Sequence, residues 1–265
     1  MKQLVLVTVL CLTASAGAGR AQSKVLFDHV QISSPDVPRA RQWYVTHMGG
    51  KTGDKPDHAW FGRTWFLVVL KSAGPKPSAG SALDHIAFSF PDVDAKVRQL
   101  SAAGVRIVTP ARDVPGWFKS AFVEDPDGTL IELVEDRNGL GFHHVHLKSV
   151  DPAAELNLFR DLFGGTRTKF RGVEALEHGE VKLLADKGAS VAPSDGHAID
   201  HMAFRTDRAT VDQVATLVRA KGIRFTVEPH PYKNNGVEGV TDYFSTPSGI
   251  KLEILARTPD YQPPQ

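Results

Sequence analysis

The sequence predicts an α+β fold built from four βαβββ modules arranged in two halves. The leading observation is a strand start written four times: Phe27-Asp28-His29-Val30, Leu83-Asp84-His85-Ile86, Phe142-His143-His144-Val145 and Ile199-Asp200-His201-Met202. Its histidines stand 56, 59 and 57 residues apart, a period that marks an internal repeat. Each start is followed by one stretch of helical spacing and then by alternating, strand-like runs. The first and third copies share a Gly-Gly helix end, and the second and fourth share a Pro-x-Gly turn. A pair of modules has therefore been duplicated as a pair.

The first module opens with an alternating run from Val25 to Ile32. A helix carrying Val37, Ala40, Tyr44 and Met48 follows and ends at Gly49-Gly50. Ala59 to Gly62 and Trp65 to Leu70 read as strands, and Ser72 to Ser81 as a linker. In the second module Asp92 is a helix cap, Val93, Val97 and Leu100 sit one turn apart, and Gly104 ends the helix. Phe118 to Val123, the turn at Asp125-Pro126-Asp127-Gly128 and Leu130 to Val134 close it as a hairpin. The third module has a helix from Asp151-Pro152 through Leu156, Phe159 and Phe163 to Gly164-Gly165. The fourth has a helix on Val211, Val214 and Val218, an insertion at His230 to Gly236, and a close through Tyr243 to Thr246 and Lys251 to Leu255. The halves are expected at residues 24–135 and 142–257, with a loose tail at 258–265.

The 265 residues are 42% hydrophobic and 23% charged, enough for a real core, and the net charge is +1. That balance argues against nucleic acid and anionic membrane surfaces as partners. Residues 1–21 have the layout of a cleavable secretory signal peptide: Lys2, the apolar run Leu4 to Leu12, then small residues at Ala16-Gly17-Ala18 or Gly19-Arg20-Ala21. The apolar run is too short for a membrane span, which needs about 20 residues. The expected location is therefore secreted or periplasmic. The single cysteine, Cys11, lies in that segment, so the mature chain is left without disulfide or thiolate chemistry.

Side chains on a strand alternate between faces. His85 shares its face with Ala87 and Ser89, against Ile86 and Phe88, and His201 shares its face with Ala203 and Arg205, against Met202 and Phe204. The apolar faces should pack on helices, leaving the histidines on the hollow side of a curved sheet. Glu132, between Ile131 and Leu133, and Glu253, between Leu252 and Ile254, obey the same rule. A carboxylate among buried residues is costly unless it is paired or meets a cation. Two imidazoles and one carboxylate make the facial triad that suits Fe(II) or a neighbouring divalent metal. Taken half by half, the expected sets are His29, His85 and Glu132, and His144, His201 and Glu253.

The βαβββ units, the Asp-His start and the close Asp125-Pro126-Asp127-Gly128 through Ile131-Glu132-Leu133 resemble the vicinal oxygen chelate superfamily. That superfamily includes glyoxalase I, bleomycin-resistance proteins and extradiol dioxygenases. The resemblance implies modules paired into two cup-shaped, barrel-like curved sheets. It also implies a divalent metal, Fe(II) or Mn(II) ahead of Zn(II), and a small substrate with vicinal oxygens. Glyoxalase I commonly adds a Glu ligand on the last strand of the odd-numbered module. Trp65 to Leu70 and Val181 to Leu184 offer none. Tyr243 through Gly249 followed by Glu253 looks like the tail of the extradiol signature, with Phe122 at the matching place in the first half. The signature's histidine is missing, and His178 or His230 is the expected substitute as a proton-transfer base. Tyr243 is read either as a phenol that holds the substrate or as a strand tyrosine packed for its ring. His146 and Gln31 are expected to line a pocket, His143 to lie outside the site, and His47, His58 and His197 to lie on the surface.

The best specific reading is an exported, extradiol-dioxygenase-like enzyme, with a glyoxalase-type lyase or isomerase as an alternative. The rival from another class is a metal-free binding protein whose cup is lined by Trp43, Trp60, Trp65, Trp117 and Phe118. A homo-oligomer is compatible with either.

Overall fold

The computed structural model describes residues 25–62, 66–189, 191–234 and 236–258. The expected signal segment, Trp65 and almost all of the tail lie outside the described residues. The first module runs β1 (Leu26–Ser34), α1 (Val37–Met48), β2 (Lys51–Thr52), β3 (His58–Trp60) and β4 (Phe66–Lys71). The second runs β5 (Leu83–Ser89), α2 (Val93–Ala102), β6 (Arg106–Asp113), β7 (Lys119–Glu124) and β8 (Leu130–Val134). The third runs β9 (Gly141–Ser149), α3 (Pro152–Phe163), β10 (Thr166–Phe170), β11 (Val173–His178) and β12 (Val181–Lys187). The fourth runs β13 (Ile199–Arg205), α4 (Arg208–Ala220), β14 (Phe225–Asn234), β15 (Val237–Ser245) and β16 (Lys251–Thr258). The insertion at His230 to Gly236 is not a loose excursion, since most of it lengthens the β14–β15 hairpin.

Each of the four described helices begins at an aspartate whose side chain accepts a backbone N–H one turn on: Asp36 from Arg39, Asp92 from Ala95, Asp151 from Ala154 and Asp207 from Thr210. Each cap satisfies one of the donors that a helix start leaves free. The apolar stripes then dock on the sheets, as with Ala40, Tyr44 and Met48 of α1 and Leu156, Phe159 and Phe163 of α3.

Two eight-stranded sheets result, and each crosses the two halves. One has the order β14-β15-β16-β13-β1-β4-β3-β2 and the other β10-β11-β12-β9-β5-β8-β7-β6. The first module thus shares a sheet with the fourth, through antiparallel β1 and β13, and the second with the third, through β5 and β9. This corrects the half-by-half expectation. Neighbours in sequence usually pair, but β5 and β13 offer β1 nearly the same Asp-His edge, so the repeat cannot choose between them. Modules of the same half meet by packing instead. Tyr44 donates its hydroxyl to Asp125 at 2.7 Å, and Phe61 meets Phe88 with ring centroids 4.9 Å apart. Phe163 of α3 stacks on Phe204 of β13 at 3.9 Å. Burying such a ring stabilises by about 2–3 kcal/mol, and one continuous apolar core joins all four modules.

Candidate metal centre

The four repeated histidines stand at four β-bulges. Phe27 pairs with Phe204 and His29 with Ala203, so Asp28 is an extra residue; Ile199 pairs with Ile32 and His201 with Gln31, so Asp200 is another. Leu83 and His85 pair with Leu147 and His146, and Phe142 and His144 with Phe88 and Ala87, which leaves Asp84 and His143 extra. A bulge breaks the alternation and re-aims a side chain. Each aspartate therefore reaches its own neighbour: Asp28 lies 2.8 Å from Nδ1 of His29, Asp84 2.7 Å from that of His85, and Asp200 2.7 Å from that of His201. A carboxylate accepts, so Nδ1 donates and Nε2 turns its lone pair towards the cup.

In the cup of modules one and four, Nε2 of His29 and of His201 lie 3.5 and 3.3 Å from Oε2 of Glu253. The Thr241 hydroxyl donates to Oε1 of Glu253, which leaves Oε2 to face the imidazoles. Burial lowers the pKa of His29. Burial pulls His201 the same way, but Asp200 and Glu253 outweigh it and the net shift is upward. Asp28 is held down at about 2 because His29 and Arg257 outweigh its burial. Arg257 of the last strand grips it through Nη1 at 2.9 Å and Nη2 at 2.6 Å. Tyr243 sits with its ring 5.4 Å from that of His201; burial and the nearby Glu253 carboxylate raise its pKa.

In the cup of modules two and three, Nε2 of His85 and of His144 lie 3.7 and 3.5 Å from Oε2 of Glu132. Here the Trp117 indole takes the part of Thr241, donating to Oε1 of Glu132 at 2.9 Å. His143 replaces the aspartate, with its Nδ1 2.7 Å from Nδ1 of His144. His146 adds a third imidazole, stacked on His85 at 4.4 Å, with Nδ1 3.4 Å from His144 and Nε2 3.0 Å from Asp186. Burial, reinforced by the neighbouring His146 and His85, pushes His144 well down and keeps it neutral, as a ligand must be. This cup opens on a cavity of about 530 Å³ bordered by His85, Glu132, His146, Trp117 and Phe122, within the size range of small-molecule sites.

Both donor sets fit a divalent cation. One ligand atom each from His29, His201 and Glu253 falls within 4.8 Å of the others, and the same holds for His85, His144 and His146. Nε2 of His85 is buried with no hydrogen-bond partner among the described residues, an arrangement that a cation would resolve. The six expected ligands thus converge, but as His29, His201 and Glu253 and as His85, His144 and Glu132.

Other expectations are corrected. His178 lies in β11 with its ring against Phe204 at 5.4 Å, inside the core and not in a cup. His230 is exposed on β14, two strands from Glu253. His143 is not outside the site but bonded to a ligand, because of the bulge. His58 and His197 are buried instead of exposed, and His47 is half-buried. Trp43 lies on α1 against Tyr44 and Trp60 packs on Phe66, whereas Trp117 does border a cavity. Sequence reasoning missed the orienting aspartates, Thr241 and the bond from Trp117 to Glu132. The aspartates had a signal, since three of the four histidines follow one.

Paired curved sheets with His/Glu triads on their hollow faces define a class of metal-chelating cup proteins. The chain belongs to the Glyoxalase/Bleomycin resistance protein/Dioxygenase superfamily, whose model matches residues 26–133 and 141–254. Its fold is similar to glyoxalase I from Zea mays, at 20% identity, 88% of this chain, 92% of that one and a TM-score of 0.68. It is also similar to a putative dioxygenase from Bacillus subtilis, at 17% identity, 90% and 86% coverage and a TM-score of 0.63. A probable lactoylglutathione lyase of Vibrio parahaemolyticus is 39% identical over 59 residues, 22% of this chain and 43% of that protein. A lactoylglutathione lyase of Haemophilus influenzae is 39% identical over 66 residues, 23% of this chain and 49% of that protein. The chain thus spans about half the length of the curated relatives it matches.

Proposed function

We propose that this protein is a divalent-metal-dependent enzyme acting on a small substrate with two neighbouring oxygens, in the cup of modules two and three. The observation that carries the reading is His85, His144 and Glu132 converging, with Nε2 of His85 lacking a hydrogen bond among the described residues, beside a substrate-sized cavity. His85, His144 and Glu132 would hold the metal, with Mn(II) or Fe(II) preferred to Zn(II). The bound metal supplies Lewis-acid stabilisation of an anionic form of the substrate. The chain's residues do the rest. Trp117 fixes Glu132, Asp84 and His143 fix the tautomers of the ligand imidazoles, and His146, bonded to Asp186, stands ready to accept a proton. A proton-transfer reaction of lyase or isomerase type agrees with this arrangement and with the relatives named lactoylglutathione lyase.

A second reading is oxygen-dependent ring cleavage in the cup of modules one and four. It is favoured by the Tyr243 phenol beside Glu253 and His201. Export is retained as part of the proposal on the strength of residues 1–21, and the mass of the mature protein's N-terminal peptide checks it. The deciding experiment measures metal content, then turnover of α-oxo-aldehyde thiol adducts and oxygen uptake with catechols. Glu132→Gln should abolish turnover and Glu253→Gln should spare it; the reverse moves the chemistry to the other cup. Protein that takes up no stoichiometric metal after reconstitution would sink the enzymatic reading and leave the metal-free binding protein.

A further inference from the structure

We propose that Lys251 and Arg257 are positioning residues that weaken the hold of the cup of modules one and four on a divalent metal, so that the two cups fill in order, that of modules two and three first. They act through the aspartates behind the ligand histidines. The inference rests on the metal reading above and adds which cup a scarce metal occupies.

An acid that accepts the far N–H of a ligand imidazole makes that imidazole a better donor. Asp84 and Asp200 allow a like-for-like comparison. Asp84 accepts from Nδ1 of His85 at 2.7 Å and from the Gly80 amide at 2.7 Å. Asp200 accepts from Nδ1 of His201 at 2.7 Å and from the Gly196 amide at 2.9 Å. Asp200 also meets a cation. Nζ of Lys251 stands 2.9 Å from its Oδ1, the oxygen that holds His201, and 2.6 Å from Asp195. Leu130 holds the place of Lys251 in the other sheet. The Leu130 amide donates to Ser78 at 2.9 Å and the Lys251 amide to Ser194 at 3.0 Å. The residues that follow, Ile131 and Leu252, pair with Ile86 and Met202, each next to a ligand histidine.

The other two histidines differ by a reversal of charge. Arg257 stands four residues beyond Glu253, and Asp136 four beyond Glu132. Arg257 grips Asp28, which holds His29 at 2.8 Å. Asp136 instead lies 3.3 Å from Nε2 of His143, whose Nδ1 is 2.7 Å from that of His144. A row of cation, carboxylate and ligand in one cup is thus carboxylate, imidazole and ligand in the other. Arg205 adds a second guanidinium 3.3 Å from Asp28. Glu253, Asp28 and Asp200 are therefore set among three bonded cations. Glu132, Asp84 and Asp136 have no Lys or Arg within ion-pair distance among the described residues. Lys148 and Lys182 act on Asp84 and His144 through space, but Lys148 turns to Asp186 at 3.9 Å and Lys182 lies over the Phe170 ring at 5.1 Å. A cation on the acid draws off the charge it would lend to the imidazole, and it repels the metal's own. The cup of modules one and four is then the weaker site.

The test is Mn(II) titration of the full-length protein, with free Mn(II) read by electron paramagnetic resonance, which requires no turnover. Glu132→Gln and Glu253→Gln each leave one complete cup. The protein that keeps the cup of modules one and four should bind about ten-fold more weakly, the scale on which groups behind a ligand act. In that Glu132→Gln protein, Lys251→Met should tighten binding several-fold and Lys251→Arg should leave it unchanged. The direction separates this role from a structural one, since damage to the fold would loosen the site. If Lys251→Met does not fold, Leu130→Lys in the Glu253→Gln protein carries the same test by setting a cation beside Asp84, and it should weaken that cup. Equal affinities in the two single-cup proteins, or the reverse order, overturn the order of filling and leave the enzymatic reading standing. Unchanged or weaker binding in Lys251→Met, or unchanged binding in Leu130→Lys, overturns the role of the lysine. Wild type that takes up no stoichiometric Mn(II) removes the metal reading and this inference with it.

Discussion

Asp242 should make the protein less stable as pH rises. It lies on β15 between Thr241, which bonds Glu253, and Tyr243, whose ring meets that of His201, so alternation turns it to the opposite, packed face. It is fully buried, and neither carboxylate oxygen has a hydrogen-bond partner among the described residues. Burial, and then the negative charge of Glu253, raise its pKa from 3.8 to about 7. The folded state therefore holds a proton that the unfolded chain releases at lower pH. Stability falls as pH rises from about 4 to about 7, and the loss is complete above that. A shift of about three units at 1.36 kcal/mol per unit puts the upper bound near 4 kcal/mol. For a chain of this size that is several degrees in melting temperature. Asp242→Asn removes the ionisation, so metal-free wild type and variant should diverge steadily between pH 4.5 and 8, the variant being the more stable at pH 8. Denaturant unfolding across that range measures the divergence. Parallel curves for the two proteins would refute the reasoning, whatever their offset at one pH. A metal ion at Glu253 would neutralise part of the neighbouring charge and should flatten the wild-type slope.

Two further predictions concern how the modules pair. Metal stoichiometry by elemental analysis should fall by the same equivalent in His85→Ala, His144→Ala and Glu132→Gln, and by the other equivalent in His29→Ala, His201→Ala and Glu253→Gln. If His29→Ala and His85→Ala jointly cost only one equivalent, cups closed within each half would be restored. Asp28→Ala leaves the Arg257 guanidinium buried against the first strand without its carboxylate. That should destabilise by about 3–5 kcal/mol, read by denaturant unfolding. A loss below about 1 kcal/mol would mean that the pair between first and last strands behaves like an exposed one.

Much of this molecule is legible in its sequence because its periodicities are local. Alternation placed His29, His85, His144, His201, Glu132 and Glu253 on hollow faces, aspartate caps and glycine ends bounded the helices, and repetition counted the modules. The same alternation misled at His143, which it sends away from the cup. A bulge adds one unpaired residue and turns that side chain back, and no local periodicity announces it. His178 looked available for chemistry because a histidine on a strand carries no mark of which layer covers it; Phe204, from a strand in the other sheet, decides that.

What the sequence by itself determined is the number of modules, the face of each histidine and glutamate, and a donor set of the kind that suits a divalent metal. Each of these depends on residues a few positions apart. Only the tertiary structure decided that His29 meets His201 and His85 meets His144. Strand pairing is made by backbone groups common to every residue, and the two candidate partners of β1 carry almost the same side chains. The choice between them therefore lay in how the helices and the shared core pack the four modules together.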